Sequence, residues 1–166
     1  MDFLDRQNCH IAWCAPEGDP HTAAMGLLEK LYRQITDEAL PPICRTARGK
    51  PCFEQGNWHF SVSHTKNHVF CCLSRDNVGM DAEETDRIAK PVYLSPAEQA
   101  RLDKSADPQQ DFLRLWVLKE AYAKLTGKGI GSYLKETDFS PDDPRITELD
   151  GCFVAVLTEK DDTHAF

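Results

Sequence analysis

The stretch 78–83 reads VGMDAE and alternates apolar residues with others, which is the pattern of a β-strand. Successive side chains of a strand point to opposite faces, so Asp81 and Glu83 project from the same face. This stretch therefore predicts a strand that offers two carboxylates in one direction.

A second stretch, 116–124, reads WVLKEAYAK and is typical of a helix. A spacing of four residues stacks Trp116, Glu120 and Lys124 along one side of that helix. If the helix packs across the end of the strand, Glu120 joins the two acids of the strand in a site made of oxygen ligands. Such ligands suit Mg²⁺, which keeps positions open for water and phosphate oxygens. The two stretches together predict a magnesium site that handles a diphosphate.

These residues also have ordinary structural interpretations. Alternating acids often form a solvated strand face, and Glu120 with Lys124 can be a helical ion pair worth roughly a few tenths of a kcal/mol. The apolar Val78 and Met80 beside the acids favour the metal site. Trp116 is predicted to anchor the core rather than to contact a ligand.

Length and charge restrict the class of protein. The chain has 166 residues, which fits one domain that buries roughly 70% of its unfolded surface. The formal net charge of −8 argues against non-specific binding to nucleic acid. No basic region precedes an apolar run at the start, and no apolar run approaches the ~20 residues of a membrane helix. We therefore expect a cytoplasmic protein with no nucleic-acid or membrane partner.

The cysteines do not form a disulfide or zinc pattern. Their number is odd, two of them are adjacent, and no two pairs have zinc-ribbon spacing. We expect reduced and mostly buried thiols. They are Cys9, Cys14, Cys44, Cys52, Cys71, Cys72 and Cys152.

Apolar spacing and turn residues predict the remaining elements. The order of these elements predicts an α+β fold of two similar halves, about 1–75 and 76–166, within a single domain over 1–166. The charged stretch 159–164 predicts a loose tail. The predicted elements are a helix over 22–35, an antiparallel meander of strands over 58–63, 68–74 and 78–83, a helix opened by a capping box at Ser95 and Glu98, a helix from Asp107 to near Thr126, and a hairpin of 145–149 and 152–158.

Two further motifs complete an ordered set of four. Residues 49–51 read GKP, and residues 60–65 read FSVSHT. With the strand and the helix, they resemble the 4′-phosphopantetheinyl transferases. The family pattern is a Gly-Lys-Pro turn, a Ser-His pair at a strand end, a Gly-x-Asp-x-Glu strand and a Trp-x-x-Lys-Glu-Ala helix. Four motifs in order, spanning 49–131, are far more specific than any one of them.

The resemblance implies a fold and a reaction. The fold is the 4′-phosphopantetheinyl transferase-like fold, with its two halves related by a pseudo-twofold axis. The reaction is the transfer of 4′-phosphopantetheine from coenzyme A to a serine of an acyl or peptidyl carrier protein, with release of adenosine 3′,5′-bisphosphate. Motifs in both halves of one chain favour a monomer.

The resemblance also assigns roles to residues of this chain. Asp81, Glu83 and Glu120 would hold Mg²⁺, while Lys119 and Lys124 would supply positive charge at the diphosphate. Either Glu120 or a water on the metal would accept the serine proton. The residues assigned to the coenzyme's phosphates and adenine are Lys50, Pro51, Ser63, His64 and Arg48. Glu98 falls where some members place a further acid near the metal, although its capping box explains it equally well.

The chain departs from the family pattern near its start. Longer members have an extra amino-terminal region that supplies cations, and this region looks shortened here. They also tend to have His-Arg at the start of the first helix, where this chain has His21 and Thr22. A catalytically impaired protein that binds coenzyme A or a carrier is therefore the alternative. A metal-dependent phosphohydrolase ranks third, because it leaves Ser63, His64 and the Gly49 turn without a task.

Overall fold

A computed structural model of the chain describes residues 1–6 and 8–160. Two antiparallel sheets pack face to face, and a long helix covers the outer face of each. The strands are β1 (Asp2–Arg6), β2 (Cys9–Cys14), β3 (Ile43–Arg45), β4 (Pro51–Phe53), β5 (His59–His64), β6 (Val69–Ser74), β7 (Val78–Glu84), β8 (Ile146–Leu149) and β9 (Cys152–Thr158). The helices are α1 (Pro20–Thr36), α2 (Pro96–Leu102) and α3 (Pro108–Thr126), and a 3-10 turn covers Ser132–Glu136.

The first sheet has the strand order β1-β2-β6-β5. Alternation along β6 sends Cys71 and Leu73 toward α1, and Phe70 and Cys72 toward the second sheet. All six residues of β6 are buried. Because both faces of β6 are covered, its first five residues are all apolar.

The second sheet has the order β7-β9-β8. Phe153 and Leu157 of β9 pack against α3, whereas Val154 and Val156 face the first sheet. The layers are therefore α1, the first sheet, the second sheet and α3. The short strands β3 and β4 form a separate hairpin.

Each of the three α-helices begins with a capping residue followed by proline. The side chain of Asp19 accepts a hydrogen bond from the Thr22 amide, and Ser95 forms a capping box with Glu98. Asp107 caps α3. These side chains satisfy backbone N–H groups that have no partner within the helix, which is why the helices start there. The predicted starts at Ser95 and Asp107 are confirmed.

The close approach of α3 to β7 depends on Gly79. A Cβ at this position would lie 2.1 Å from the Ala121 carbonyl oxygen and 2.3 Å from the Leu125 amide nitrogen. We expect Gly79→Ala to lower the free energy of unfolding by about 3 kcal/mol, because helix backbone would have to move. Urea denaturation measures this change. The matched control is Gly26→Ala in α1, where a Cβ meets no atom within 4 Å and should stabilise the protein by about 1 kcal/mol. Equal stability of the two variants would contradict the prediction.

The sequence-based assignment of elements needs two corrections. The α+β class, the long helices and the closing hairpin are confirmed, but β1, β2, β3 and β4 were not predicted. The predicted meander is wrong at its third strand, because β6 pairs with β5 and β2. Both edges of β6 are then occupied, so β7 pairs with β9 in the other sheet.

The first sheet and α1 lie before residue 76, and the second sheet and α3 lie after it, while the division of the domain into two similar halves stays a prediction. The pseudo-twofold relation between the halves stays a prediction. In the described part of the chain, no helix combines the length and the apolar character that crossing a membrane requires. The part of the predicted tail from 161 onward lies outside the described residues.

Candidate metal and nucleotide site

Three carboxylates meet where α3 crosses β7. Met80 and Ala82 face the core between the sheets, so Asp81 and Glu83 point toward α3, where Glu120 lies. One oxygen of each carboxylate lies within 4.8 Å of the others. The glycine on the same face of β7 lets the helix come this close. The three predicted acids are therefore together in the structure.

Asp81 is almost completely enclosed, with 3% of its surface exposed. Its Oδ1 accepts hydrogen bonds from Ser63 Oγ and Lys124 Nζ, each at 2.8 Å. Its Oδ2 is buried and has no hydrogen-bond partner among the described residues. A buried carboxylate oxygen without a partner is costly, and a cation would remove that cost. The acids therefore fit a hard divalent ion such as Mg²⁺.

The pKa of Glu120 is raised to about 7. Burial is the main cause, and the neighbouring negative charge of Asp81 is the second. The positive charge of Lys124 acts in the opposite direction without cancelling these effects. Without a cation, Glu120 is thus partly protonated near neutral pH. A divalent ion among the carboxylates would favour the ionised form.

We expect the affinity for Mg²⁺ to rise with pH up to about 7 and then to level off. Below its pKa, Glu120 carries a proton that Mg²⁺ must displace, so affinity should change by up to about tenfold per pH unit. Calorimetry in two buffers of different ionisation enthalpy measures the protons released. Close to one proton is expected at pH 6 and close to none at pH 8.5. Absence of proton release at pH 6 would contradict the assignment.

Glu83 has a partner that the sequence did not indicate. Arg87, in the connection after β7, forms an ion pair with Glu83. Arg87 is exposed and Glu83 is buried, so the guanidinium covers the acid from the solvent side. No motif marks Arg87, because its position depends on how the chain turns after the strand.

Beside the carboxylates lies a cleft of about 340 Å³. It is bordered by the predicted turn of residues 49–51 on one side and by α3 on the other. We call the group of Asp81, Glu83 and Glu120 the acid site. Glu120 belongs to this site and also lines the cleft, as does Lys124, which bonds to Asp81. A ligand in the cleft would therefore touch the acid site. The lining residues are Arg48, Gly49, Lys50, Pro51, Phe60, Ser61, Val62, Glu120, Ala123, Lys124, Gly127, Gly129 and Ile130.

Lys50 holds the turn in place. Its Nζ donates to Asn77 Oδ1 at 2.5 Å, to the Val78 carbonyl at 2.9 Å and to the Leu125 carbonyl at 3.2 Å. Burial lowers the pKa of Lys50. An ammonium has three N–H donors, so all are engaged. A phosphate contact by Lys50 would replace one of these bonds, and that role stays a prediction.

The other residues predicted to contact coenzyme A lie in more than one place. Arg48 and Pro51 line the cleft, and Ser63 lies behind it, where its Oγ also accepts from the Ala82 amide at 3.3 Å. His64 is exposed at the end of β5. His64 is not among the residues that line the cleft.

Lys119 corrects an expectation from the sequence. Its side chain is fully buried, and its Nζ lies 2.8 Å from Glu98 Oε2. It also donates to the Leu134 carbonyl at 2.7 Å and to Thr137 Oγ1 at 3.0 Å. Consecutive helix residues point about 100° apart, so Lys119 faces away from the direction of Glu120. Lys119 therefore supplies no charge at the acid site in this structure.

Glu98 is likewise not part of the acid site. Its Oε2 accepts from the Ser95 amide and its Oε1 from the Phe139 amide, at 2.8 and 2.9 Å. With Lys119 it forms a buried, fully hydrogen-bonded pair between α2 and α3. Of the two interpretations of Glu98, the capping box is the one that the structure contains.

Comparison with known proteins identifies the family of this arrangement. A model of the 4′-phosphopantetheinyl transferase superfamily matches residues 77–164, which include the three acids and Lys124. The 4′-phosphopantetheinyl transferase Sfp of Bacillus subtilis is 35% identical over 88 residues, which cover 49% of this chain and 39% of Sfp. The transferase psf-1 of Bacillus pumilus is 39% identical over 118 residues, 61% of this chain and 49% of psf-1. HetI of Nostoc sp., also named a 4′-phosphopantetheinyl transferase, is 32% identical over 112 residues, 59% of this chain and 47% of HetI. The matched segments thus span less than half of each of these relatives.

Proposed function

Because the chain belongs to the 4′-phosphopantetheinyl transferase superfamily, we propose that it transfers 4′-phosphopantetheine from coenzyme A to a serine of an acyl or peptidyl carrier protein. In this reaction the serine oxygen forms a bond to the phosphorus nearer the pantetheine. The bond from that phosphorus to the bridging oxygen of the pyrophosphate breaks, and adenosine 3′,5′-bisphosphate leaves. The observation that carries the proposal is the group of three carboxylates beside a cleft.

Asp81, Glu83 and Glu120 would hold the metal. When bound, Mg²⁺ supplies positive charge to the pyrophosphate, where negative charge increases in the transition state. Two of the three acids, Asp81 and Glu83, are buried, and Asp81 Oδ2 has no hydrogen-bond partner among the described residues; both observations support this role. The ion pair with Arg87 would orient Glu83 before the substrate arrives.

Lys124 is proposed to add a second positive charge. Its Nζ lies 2.8 Å from Asp81 Oδ1 and 3.2 Å from the Val62 carbonyl, and a third of the side chain is exposed to the cleft. Two of its N–H groups are engaged, and the third has no acceptor among the described residues, so it could bind a phosphate oxygen. The two bonds fix the ammonium, so little reorganisation is needed when charge develops.

Glu120 is the proposed acceptor of the serine proton. Glu120 lines the cleft and also belongs to the group of three carboxylates, so an ionised carboxylate lies where the serine would arrive. The Glu120 carboxylate has two oxygens, so one could bind the metal while the other faces the serine of the carrier protein in the cleft.

The cleft is proposed to receive the nucleotide end of coenzyme A. Its volume of about 340 Å³ is within the usual range for small-molecule sites. The turn of residues 49–51 offers backbone groups to adenine, and Gly49 has a φ of 86°, a conformation that favours glycine. Arg48, at the rim, would reach the remaining phosphates, and the family motif adds His64, which lies outside the lining of the cleft.

The direct test is a transfer assay with the full chain, coenzyme A, Mg²⁺ and a panel of apo carrier proteins. Intact-mass spectrometry should show the gain of one phosphopantetheine arm on the carrier. No gain with any of several carriers would contradict the proposal. Tight coenzyme A binding in that case would favour the impaired binding protein, and release of the bisphosphate without a carrier would favour a phosphohydrolase.

A further inference from the structure

The hairpin of β3 and β4 carries two thiols that face each other. Cys44 and Cys52 are directly opposite in the antiparallel register, and their Sγ atoms are 3.1 Å apart. The residues between them, 45–51, include the part of the turn that lines the cleft. We infer that Cys44 and Cys52 are a reversible dithiol–disulfide couple that fastens this turn when a low-molecular-weight disulfide is present.

The backbone geometry allows the bond. The Thr46 amide donates to the Lys50 carbonyl, and the Glu54 amide donates to the Pro42 carbonyl, at 2.9 Å each. Hydrogen-bonded pairs alternate along an antiparallel ladder, so Cys44 and Cys52 form the hydrogen-bonded pair between those two. The Cα atoms of such a pair are about 5.5 Å apart, and disulfides span about 4.4–6.8 Å. A disulfide therefore needs the two sulfurs to close by about 1 Å without a change of register.

The remaining cysteines are less suited to this chemistry. Cys71 and Cys72 are fully buried neighbours on β6 that point to opposite faces, and burial raises the pKa of both thiols. Burial also raises the pKa of Cys152 to about 11. Cys14 is half-buried like the hairpin pair, which makes it the natural control.

The reaction balances as two thiol–disulfide exchanges. The thiolate of Cys44 attacks glutathione disulfide, forms a mixed disulfide and releases one glutathione. Cys52 then gives up its proton, attacks Sγ of Cys44 and releases the second glutathione. The pKa of Cys52 is raised, first by the hydrogen bond with Cys44 and then by burial, which is consistent with its role as the second, resolving thiol. The protein loses two hydrogens, and one glutathione disulfide becomes two glutathiones.

Closing the ring would restrain the residues that border the cleft. Arg48 donates to the Thr126 carbonyl at 3.4 Å, and Lys50 bonds to β7 and α3, so the turn is already attached to both elements. A crosslink at the base of the hairpin reduces local opening of the turn. We expect trypsin to cleave after Arg45 and Arg48 about tenfold more slowly in the oxidised protein.

The test is a titration of the full chain with mixtures of glutathione and glutathione disulfide, followed by a non-reducing tryptic map. Peptides 34–45 and 49–66 should appear as one linked species that separates on reduction. Cys44→Ser and Cys52→Ser should abolish this species, whereas Cys14→Ser should leave it unchanged. A link that involves other cysteines, or a mixed disulfide that never resolves, would overturn the inference.

A second measurement tests whether oxidation of Cys44 and Cys52 affects ligand binding in the cleft, and it rests on the proposed function. Calorimetry with acetyl-coenzyme A, whose blocked thiol cannot attack the disulfide, should give a several-fold lower Kd in the oxidised protein, because the turn is ordered beforehand. The Cys44→Ser variant under the same conditions should show no change. An unchanged Kd beside a confirmed link would overturn the role in binding, and failure to bind acetyl-coenzyme A in either state would count against the proposed function instead.

Discussion

Glu120→Gln is expected to lower kcat by about 10²–10³-fold, the range seen when one charge-stabilising group is removed from an active site. The substitution keeps the shape of the side chain but removes a metal ligand and the proposed base. It should also weaken Mg²⁺ binding. Turnover by the carrier mass assay and metal affinity by calorimetry measure the two effects.

The same variant should not be less stable when no metal is present. The folded-state pKa of Glu120 is raised, so this carboxyl contributes stability that is present at low pH and is lost as pH rises to about 7. Glutamine resembles the protonated form, so at pH 8 the metal-free variant should unfold at the same or a higher urea concentration than the original protein. The control is Glu148→Gln on the exposed face of β8, which should change neither the stability nor the turnover. A destabilised Glu120→Gln, or one with unchanged turnover, would contradict the role given to this residue.

The acid site was predictable because its members lie within regular elements. A two-residue spacing on a strand fixes the common face of Asp81 and Glu83, and only the packing of one helix was then needed to add Glu120. That packing depends on Gly79, whose importance is visible only when α3 is seen against β7. Spacing along the chain therefore predicted which acids meet, and tertiary contacts supplied the reason.

The lysines show where this reasoning stops. Lys119 and Lys124 belong to the same helix motif, yet one is buried against α2 and the other reaches the cleft. Helix geometry places the two side chains about 140° apart, but which side of α3 packs against α2 depends on tertiary contacts that no local pattern records. Lys50 is similar, because its three acceptors belong to distant segments of the chain.

The missed strands have a related explanation. β1 is an edge strand with two acids and an arginine, and β3 and β4 have three residues each. Strands this short or this polar give little periodicity, and their pairing depends on neighbours already in place. The longer strands β5, β6, β7 and β9 carry enough apolar residues to be recognised from the sequence. β2 was missed although it has six mostly buried residues, so shortness and polarity do not explain that omission.

Lys119→Met is expected to lower the free energy of unfolding by about 3–5 kcal/mol, because it leaves the Glu98 carboxylate buried without its cation. Methionine has nearly the same length, so the loss of volume is small. In a domain of this size the melting temperature should fall by roughly 10 °C or more. Thermal and urea unfolding measure the change, and Lys135→Met in the exposed part of the 3-10 turn is the matched control.

A double variant separates the charge from the packing. Glu98→Gln removes the unpaired charge and keeps an acceptor oxygen, so Lys119→Met with Glu98→Gln should regain part of the lost stability. If Lys119 acts only through this pair, each folded variant should keep its transfer activity when assayed well below its melting temperature. A stable Lys119→Met protein with strongly reduced turnover would contradict the structural role and return Lys119 to the catalytic group implied by the family motif.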